Sequence, residues 1–424
     1  MSFNKDRIKE LLLRQNEDFV SSDIGIWREA LHEVEKQIDS PFVFVVSGLR
    51  RVGKSTLFAQ ISRKFYQEDG YYYINFDHNL FLDFEAQDFW DLHEILIELF
   101  GERKVFFFDE IQNIPAWETI ARSLFDEKHK VYITGSNSSL FSKEFASRLT
   151  GRNISLELFP FSFKEYLDFF DISYTKQKGN IYDTKTRVLL KKELSNYLQL
   201  GGIAQALRYP ELKIHKTIYE NSVYKDIVAR HNIDSDRTIR ELGHYLLSNV
   251  AAPLSYSKIK THLGVKNTST ITNYIDHFEQ SWLFFVLNQF SPSIKKQQMA
   301  PKKIYPIDTG LAQELGFALS ENRGLKLETL VFLALRKLNQ EIFYYKTAKD
   351  HEVDFYFPQE SALYQVCYDL SDPDIREREV RALIEAKKEL SAQKLTIISF
   401  DTKEEITEAS DFIEVVPAYE FLLA

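Results

Sequence analysis

Cysteine is nearly absent: Cys367 is the only one in 424 residues. A single thiol excludes an internal disulfide framework and suits a reducing compartment. Long apolar runs are also missing. The longest, Trp282 to Leu287 among them, fall far short of the roughly 20 residues that cross a bilayer. The N-terminal stretch MSFNKDRIKELLLRQNEDF is charged throughout and lacks the apolar segment of a secretion signal. Overall positive charge is lacking too. A formal net charge of -9 argues against a protein that coats nucleic acid over its whole surface, while leaving room for a local basic patch. There is no internal repeat and no low-complexity tract. The expectation is a soluble cytoplasmic protein with no membrane contact.

What is present is a composition able to fold, with 44% hydrophobic and 27% charged residues. The 34 phenylalanines and 22 tyrosines read as core filling. The length predicts about three domains. Apolar residues recur at helical spacing over 8–38, followed by Pro41 and the run FVFVV. Such a run is what a strand buried on both faces looks like. YYYINF, KVFFF, KVYIT and NISLELF repeat the pattern, with the helix-like stretches WDLHEILIELF and PAWETIARSLF between them. Alternating strands and helices predict an α/β fold with a parallel sheet flanked by helices. After Pro160 the segments turn helical, and strands return from about residue 304.

The stretch SGLRRVGKST, residues 47–56, follows the first apolar run and opens a helix-like segment. Gly48, Gly53, Lys54 and Ser55 complete the phosphate-loop pattern G-x-x-x-x-G-K-[ST]. Glycines let backbone N–H groups curl around phosphates, and the helix N-terminus adds partial positive charge. The predicted ATP cradle is Gly48, Leu49, Arg50, Arg51, Val52, Gly53, Lys54, Ser55 and Thr56. Lys54 is expected at the terminal phosphates and the Ser55 hydroxyl on Mg2+. Arg50 and Arg51 read as solvated charges or salt-bridge partners. Downstream, KVFFFDE ends a strand with Asp109, the expected magnesium-supporting aspartate, and Glu110, the expected base that orients the attacking water. Arg148 and Arg152 in SRLTGR are candidate arginine fingers, for this chain's own site or a neighbour's.

YYYINF lies between the lysine and acidic segments and is expected to set their strands apart, which resembles the AAA-type branch of these ATPases. In that branch a polar sensor follows the next strand. Asn137 is the candidate here, or else a helix N-cap or turn residue. SGLRRVGKST, FFFDEIQNI, ITGSNSSL, LTGR, LFPFSFKEYL and YLQLGGIAQAL together resemble prokaryotic AAA-type ATPases whose C-terminal part is a domain of unknown function with a PD-(D/E)XK nuclease-like core. The resemblance spans nearly the whole chain and implies ATP binding and hydrolysis. One departure is GGIAQAL, where the family often has a phenylalanine and a proline after the glycines. The expected layout is an ATPase domain at 1–165, a helical segment at 166–235, a winged helix-turn-helix at 236–303 and a nuclease-like α/β domain at 304–424.

Residues 253–303 hold seven lysines (258, 260, 266, 295, 296, 302 and 303) against Asp276 and Glu279. This local reversal of sign is the footprint of nucleic-acid contact, or a solvated face of a docking module. Lys258, Lys266, Lys295, Lys296, Lys302 and Lys303 are the candidate DNA contacts, with the last four on a hairpin wing. In the C-terminal part, Glu328 and Asp354 could hold a metal. By the resemblance, a third acid and a lysine should follow, but Gln365 and Cys367 stand in those places, so an inactive nuclease-like fold is expected. Lys346 and Lys349 have no support as replacements. The leading reading is a nucleotide-driven switch acting on DNA or a protein partner, with homo-oligomers possible. The rivals are an ATP-gated metal-dependent nuclease and a non-hydrolysing ATP-bound scaffold.

Overall fold

A computed structural model describes residues 5–67, 70–138, 151–175, 182–233, 236–316, 322–338, 341–408 and 411–424. The chain divides into two compact units: residues 1–159 with 280–282, and 160–279 with 283–424. No helix among the described residues is long and apolar enough to cross a membrane.

The first unit holds α1 (Lys5–Ser21), α2 (Leu31–Lys36), β1 (Val43–Ser47), α3 (Lys54–Phe65), β2 (Tyr72–Asn75), α4 (Phe89–Phe100), β3 (Val105–Asp109), α5 (Trp117–Asp126), β4 (Lys130–Gly135) and β5 (Asn153–Glu157). Its strands form one five-stranded sheet in the order β2-β3-β4-β1-β5. Every pairing is parallel. β1 and β3 are buried along their full length, as apolar runs between two helical layers require. Alternation sorts the side chains of β3. Phe106 and Phe108 join Leu12, Ile95 and Leu124 in one core layer. On the other side Phe107 stacks on Tyr132 at 4.8 Å, with Phe58 of α3 edge-on at 5.1 Å. One expectation is corrected: the strand separating β1 from β3 is β4, whereas YYYINF forms β2, the sheet edge beyond β3.

The second unit opens with α6 (Phe163–Phe169), α7 (Thr184–Leu200), α8 (Ala204–Arg208), α9 (Ile214–Asn221) and a π-helical stretch at Ser222–Ala229. Next come α10 (Asp236–Ser248), α11 (Tyr256–His262) and α12 (Thr268–Gln280), with Gly264 at φ 65 in the turn between the last two. β6 (Phe284–Gln289), α13 (Ile294–Met299), β7 (Lys303–Pro306), α14 (Thr309–Leu315), α15 (Arg323–Leu338), β8 (Phe343–Lys346), β9 (Glu352–Phe357), β10 (Ala362–Cys367), α16 (Pro373–Leu390), β11 (Lys394–Ser399), β12 (Glu404–Glu408), β13 (Asp411–Pro417) and α17 (Ala418–Leu422) follow. The eight strands form one mixed sheet, β12-β13-β11-β10-β9-β8-β6-β7.

The expected hairpin wing is corrected in part. β6 and β7 do pair antiparallel, but β6 also pairs with β8, so the two strands are the edge of the large sheet. Lys295 and Lys296 sit on α13, which buries none of its residues.

The glycine pair after α7 belongs to a polar knot in this unit. Asp308 Oδ2 accepts from Gly202 N at 2.6 Å and Oδ1 from Gly310 N at 2.8 Å. His215 Nε2 lies 3.2 Å from Asp308 Oδ1, and its Nδ1 lies 3.2 Å from Glu314 Oε2. A methyl group at Gly202 would collide with the backbone of Phe161, which cannot swing away as a side-chain tip could. Gly202→Ala is expected to destabilise this unit by about 1–3 kcal/mol, read as a lower melting temperature by calorimetry.

Candidate functional site

β1 delivers the chain to the phosphate loop, and α3 begins at Lys54. Gly53 has φ 102, a left-handed value that only glycine adopts without strain. Gly48 presses so close to the Leu158 carbonyl that a Cβ would collide with it. Leu49 and Val52 are buried beneath the loop, Thr56 is half-buried on α3, and Arg51 is exposed at φ 60. Arg50 reaches Asp77 at 3.9 Å, an ion pair of the kind expected from sequence.

Lys54 is buried. Its Nζ donates to the carbonyls of Gly48 at 3.1 Å and Leu49 at 3.2 Å, and lies 3.4 Å from Glu110 Oε1. The ammonium thus folds back into the hollow of its own loop. Ser55 Oγ donates to Asp109 Oδ2 at 2.6 Å, so the two groups expected to face Mg2+ converge on one point. Asp109 closes β3, and its other oxygen accepts from Thr134 Oγ1. That Thr134 oxygen in turn accepts from the Glu110 backbone N–H at 3.0 Å. Glu110 sits at φ 52. Its Oε2 accepts from Gln112 Nε2 at 2.5 Å and from the Ser136 N–H at 3.3 Å.

Electrostatics separates the two acids. Burial, and next the neighbouring Glu110 charge, push Asp109 up, against the opposing pull of Ser55, Thr134 and Lys54. Burial would also raise Glu110, but Lys54, with Gln112 and Arg50, outweighs it and holds the carboxyl below its usual value. Glu110 is therefore ionised at neutral pH. Asn137 is buried after β4 at the same sheet edge, and its carbonyl accepts from Ser47 Oγ at 3.0 Å.

Two arginine expectations end differently. Arg148 lies outside the described residues. Arg152 is described, and its role at this chain's own phosphate loop is corrected. Its carbonyl accepts from Val43 N at the start of β1, and its guanidinium binds Asp126 at 2.7 Å over the Phe125 ring. That is the sheet edge opposite the loop, roughly 15 Å away along the strands.

Sequence reasoning missed Arg28, Thr134 and Tyr73. The buried Arg28 guanidinium braces the loop by donating to Val52 O at 3.0 Å and Phe159 O at 2.7 Å. Thr134 was visible as the polar residue ending an apolar strand. Tyr73 could be found only from strand adjacency: the β2–β3 register sets Tyr73 beside Phe107 and Asn75 beside Asp109.

The second unit brings Glu328 and Asp354 together around an ammonium. Lys303 Nζ lies 2.7 Å from Glu352, 2.9 Å from Glu328 and 3.2 Å from Asp354, and only 2% of its side chain is exposed. Burial would lower the Lys303 pKa, but the surrounding carboxylates outweigh it and keep the group charged. Burial and Asp354 push Glu328 up to about 7. Tyr305 donates to Glu328 at 2.7 Å. Gln365 accepts from Asp354 N at 3.2 Å and donates to Glu379 at 2.6 Å. Cys367 is buried, its thiol pushed up to about 11 by burial. Among the described residues, no group of three or more His, Cys, Asp or Glu is disposed to hold a metal ion. Lys303 as a DNA contact is corrected by its burial. Lys302 donates to Gln297 O at 2.6 Å. Lys258, Lys266, Lys295 and Lys296 are exposed.

Residues 40–167 match the AAA domain, and residues 191–324 match a domain of unknown function, DUF8612. The latter lies largely upstream of the segment expected to be the domain of unknown function. The chain is similar to the uncharacterized protein MJ1544 of Methanocaldococcus jannaschii, with 33% identity over 410 residues, covering 92% of this chain and 90% of that one. An uncharacterized protein of Haemophilus influenzae is 30% identical over 334 residues, covering 75% and 80% of the two chains. Among solved structures, AMPPCP-bound DnaA from Aquifex aeolicus is 14% identical over 59% of this chain and 87% of that chain, with a TM-score of 0.26. The chain belongs to the family of AAA-domain proteins that includes the Methanocaldococcus jannaschii protein.

Proposed function

We propose that this protein binds ATP with Mg2+ at the phosphate loop, hydrolyses it, and uses the cycle as a switch acting on DNA or a protein partner. The observation that carries this reading is the meeting of Ser55 Oγ with Asp109 Oδ2 at 2.6 Å, beside a lysine held 3.4 Å from Glu110. The donor set fits a hard cation: one hydroxyl and one carboxylate, both oxygen. Bound there, Mg2+ would neutralise charge on the phosphates. Residues 48–56 cradle the phosphates, and Lys54 leaves Glu110 to reach them. The freed Glu110 carboxylate then orients a water and accepts its proton. Asn137 senses the terminal phosphate from the same sheet edge. Arg148 is the arginine proposed for the chain's own site, and Arg152 could serve only a neighbouring copy in a homo-oligomer.

The second unit is proposed as a binding platform rather than a nuclease, because Lys303 already neutralises Glu328 and Asp354. Lys258, Lys266, Lys295 and Lys296 are the proposed DNA contacts, and the cytoplasm is the proposed compartment. Phosphate release measured with and without DNA tests the switch: stimulation by DNA is expected. Changing Lys295 and Lys296 to glutamate should weaken DNA retention at low salt and lower the salt slope by roughly one for each lysine removed. Unchanged retention together with DNA-independent turnover would overturn the DNA reading and leave the protein partner.

A further inference from the structure

We infer that Tyr73 is a positioning residue for the magnesium aspartate, acting through its hydroxyl. This rests on reading the loop as a metal–nucleotide site. The Tyr73 hydroxyl donates to Asp109 Oδ2 at 2.9 Å, the same oxygen that accepts from Ser55. Thr134 holds the other oxygen. The carboxylate is thus gripped from both sides, which leaves it one orientation in which to meet a ligand.

The reach follows from the register. Tyr73 pairs with Phe107 on β3, and Asp109 lies two residues further along on the same face. A tyrosine spans that repeat of about 7 Å. The ring is buried at that contact.

α1 locks the ring. Phe19 lies flat on Tyr73, with centroids 3.9 Å apart and planes 13° from parallel. Four residues earlier on α1, Gln15 pairs with the edge-strand backbone. It donates to Asn75 O at 2.9 Å and accepts from Asn75 N at 3.0 Å. Helix α1 therefore acts as a splint on β2. The phosphate-loop pattern does not include this helix; its Phe19 packs on the ring, while the hydroxyl alone makes the contact that positions Asp109.

The test is the affinity for a fluorescent ADP analogue, measured in EDTA and in Mg2+, for the wild type, Tyr73→Phe and Phe19→Leu. Tyr73→Phe keeps the ring and its stack, so it folds, and a melting curve is recorded with it. The expected result is an unchanged affinity in EDTA and a gain on adding Mg2+ that is roughly tenfold smaller than in the wild type. Phe19→Leu retains the hydroxyl and should keep the gain within about twofold. A full Mg2+ gain in Tyr73→Phe overturns the inference. An equal loss in both variants assigns the effect to packing and overturns it too. No nucleotide binding, or no Mg2+ gain, in the wild type overturns the underlying site reading as well.

Discussion

Glu110→Gln is expected to lower ATP turnover by roughly 10²- to 10⁴-fold while the nucleotide still binds. Glutamine has almost the same shape, so the loop and β3 stay as they are, but the amide cannot take a proton from water. The backbone supports the assignment. Glu110 holds φ 52, and its N–H is bound to Thr134 at 3.0 Å, which fixes where the carboxylate leaves the strand. Nucleotide affinity should rise. Lys54 is drawn to Glu110 at 3.4 Å. Removing that charge frees the lysine and abolishes repulsion between the carboxylate and incoming phosphates. Phosphate release and binding of a fluorescent ATP analogue, measured side by side, check both parts. Turnover in Glu110→Gln at the wild-type rate would remove Glu110 from the mechanism. Absence of turnover in both proteins, with binding intact, would make the protein a scaffold.

The second large effect lies in the other unit. Lys303→Met is expected to destabilise it by about 3–5 kcal/mol, because removing one partner of a buried ion cluster strands the rest. Here the stranded groups are Glu328, Glu352 and Asp354. For a unit of this size the melting temperature should fall by roughly 10 °C. The pH dependence gives a sharper signature. Glu328 already stands at about 7 because of burial and Asp354, and loss of Lys303 raises it further. An acid whose folded pKa exceeds its unfolded value loses stability as pH rises between the two. The variant should therefore regain stability as pH falls from about 8 towards about 5. Calorimetry at both ends checks this, and adding Glu328→Gln should restore part of the loss at neutral pH. An unaltered melting temperature in Lys303→Met would show that the cluster does not hold this unit together.

Legibility followed the range of the interaction. The phosphate loop was readable because its chemistry is packed into consecutive residues and framed by a buried strand and a helix. Asp109 and Glu110 were readable because an acidic pair at the end of an apolar strand stands at the sheet edge. The first unit's parallel sheet followed from apolar runs that make sense only between two helical layers. Lys303 was misread for the opposite reason. Within its own stretch it is one of seven lysines, and nothing local sets it apart. Its partners lie 25 residues away at Glu328 and 51 away at Asp354.

By itself, the sequence determined that a phosphate-loop pattern opens a helix after a buried strand and that an acidic pair ends a later one. Those are local facts, carried by residue type and short spacing. Tertiary structure alone decided which strand separates β1 from β3, that Arg152 faces away from the loop, that Tyr73 reaches Asp109 with Phe19 stacked on its ring, and that Lys303 is buried among carboxylates. Each depends on strand order or register, and a shift of one residue in register turns a side chain to the other face of the sheet.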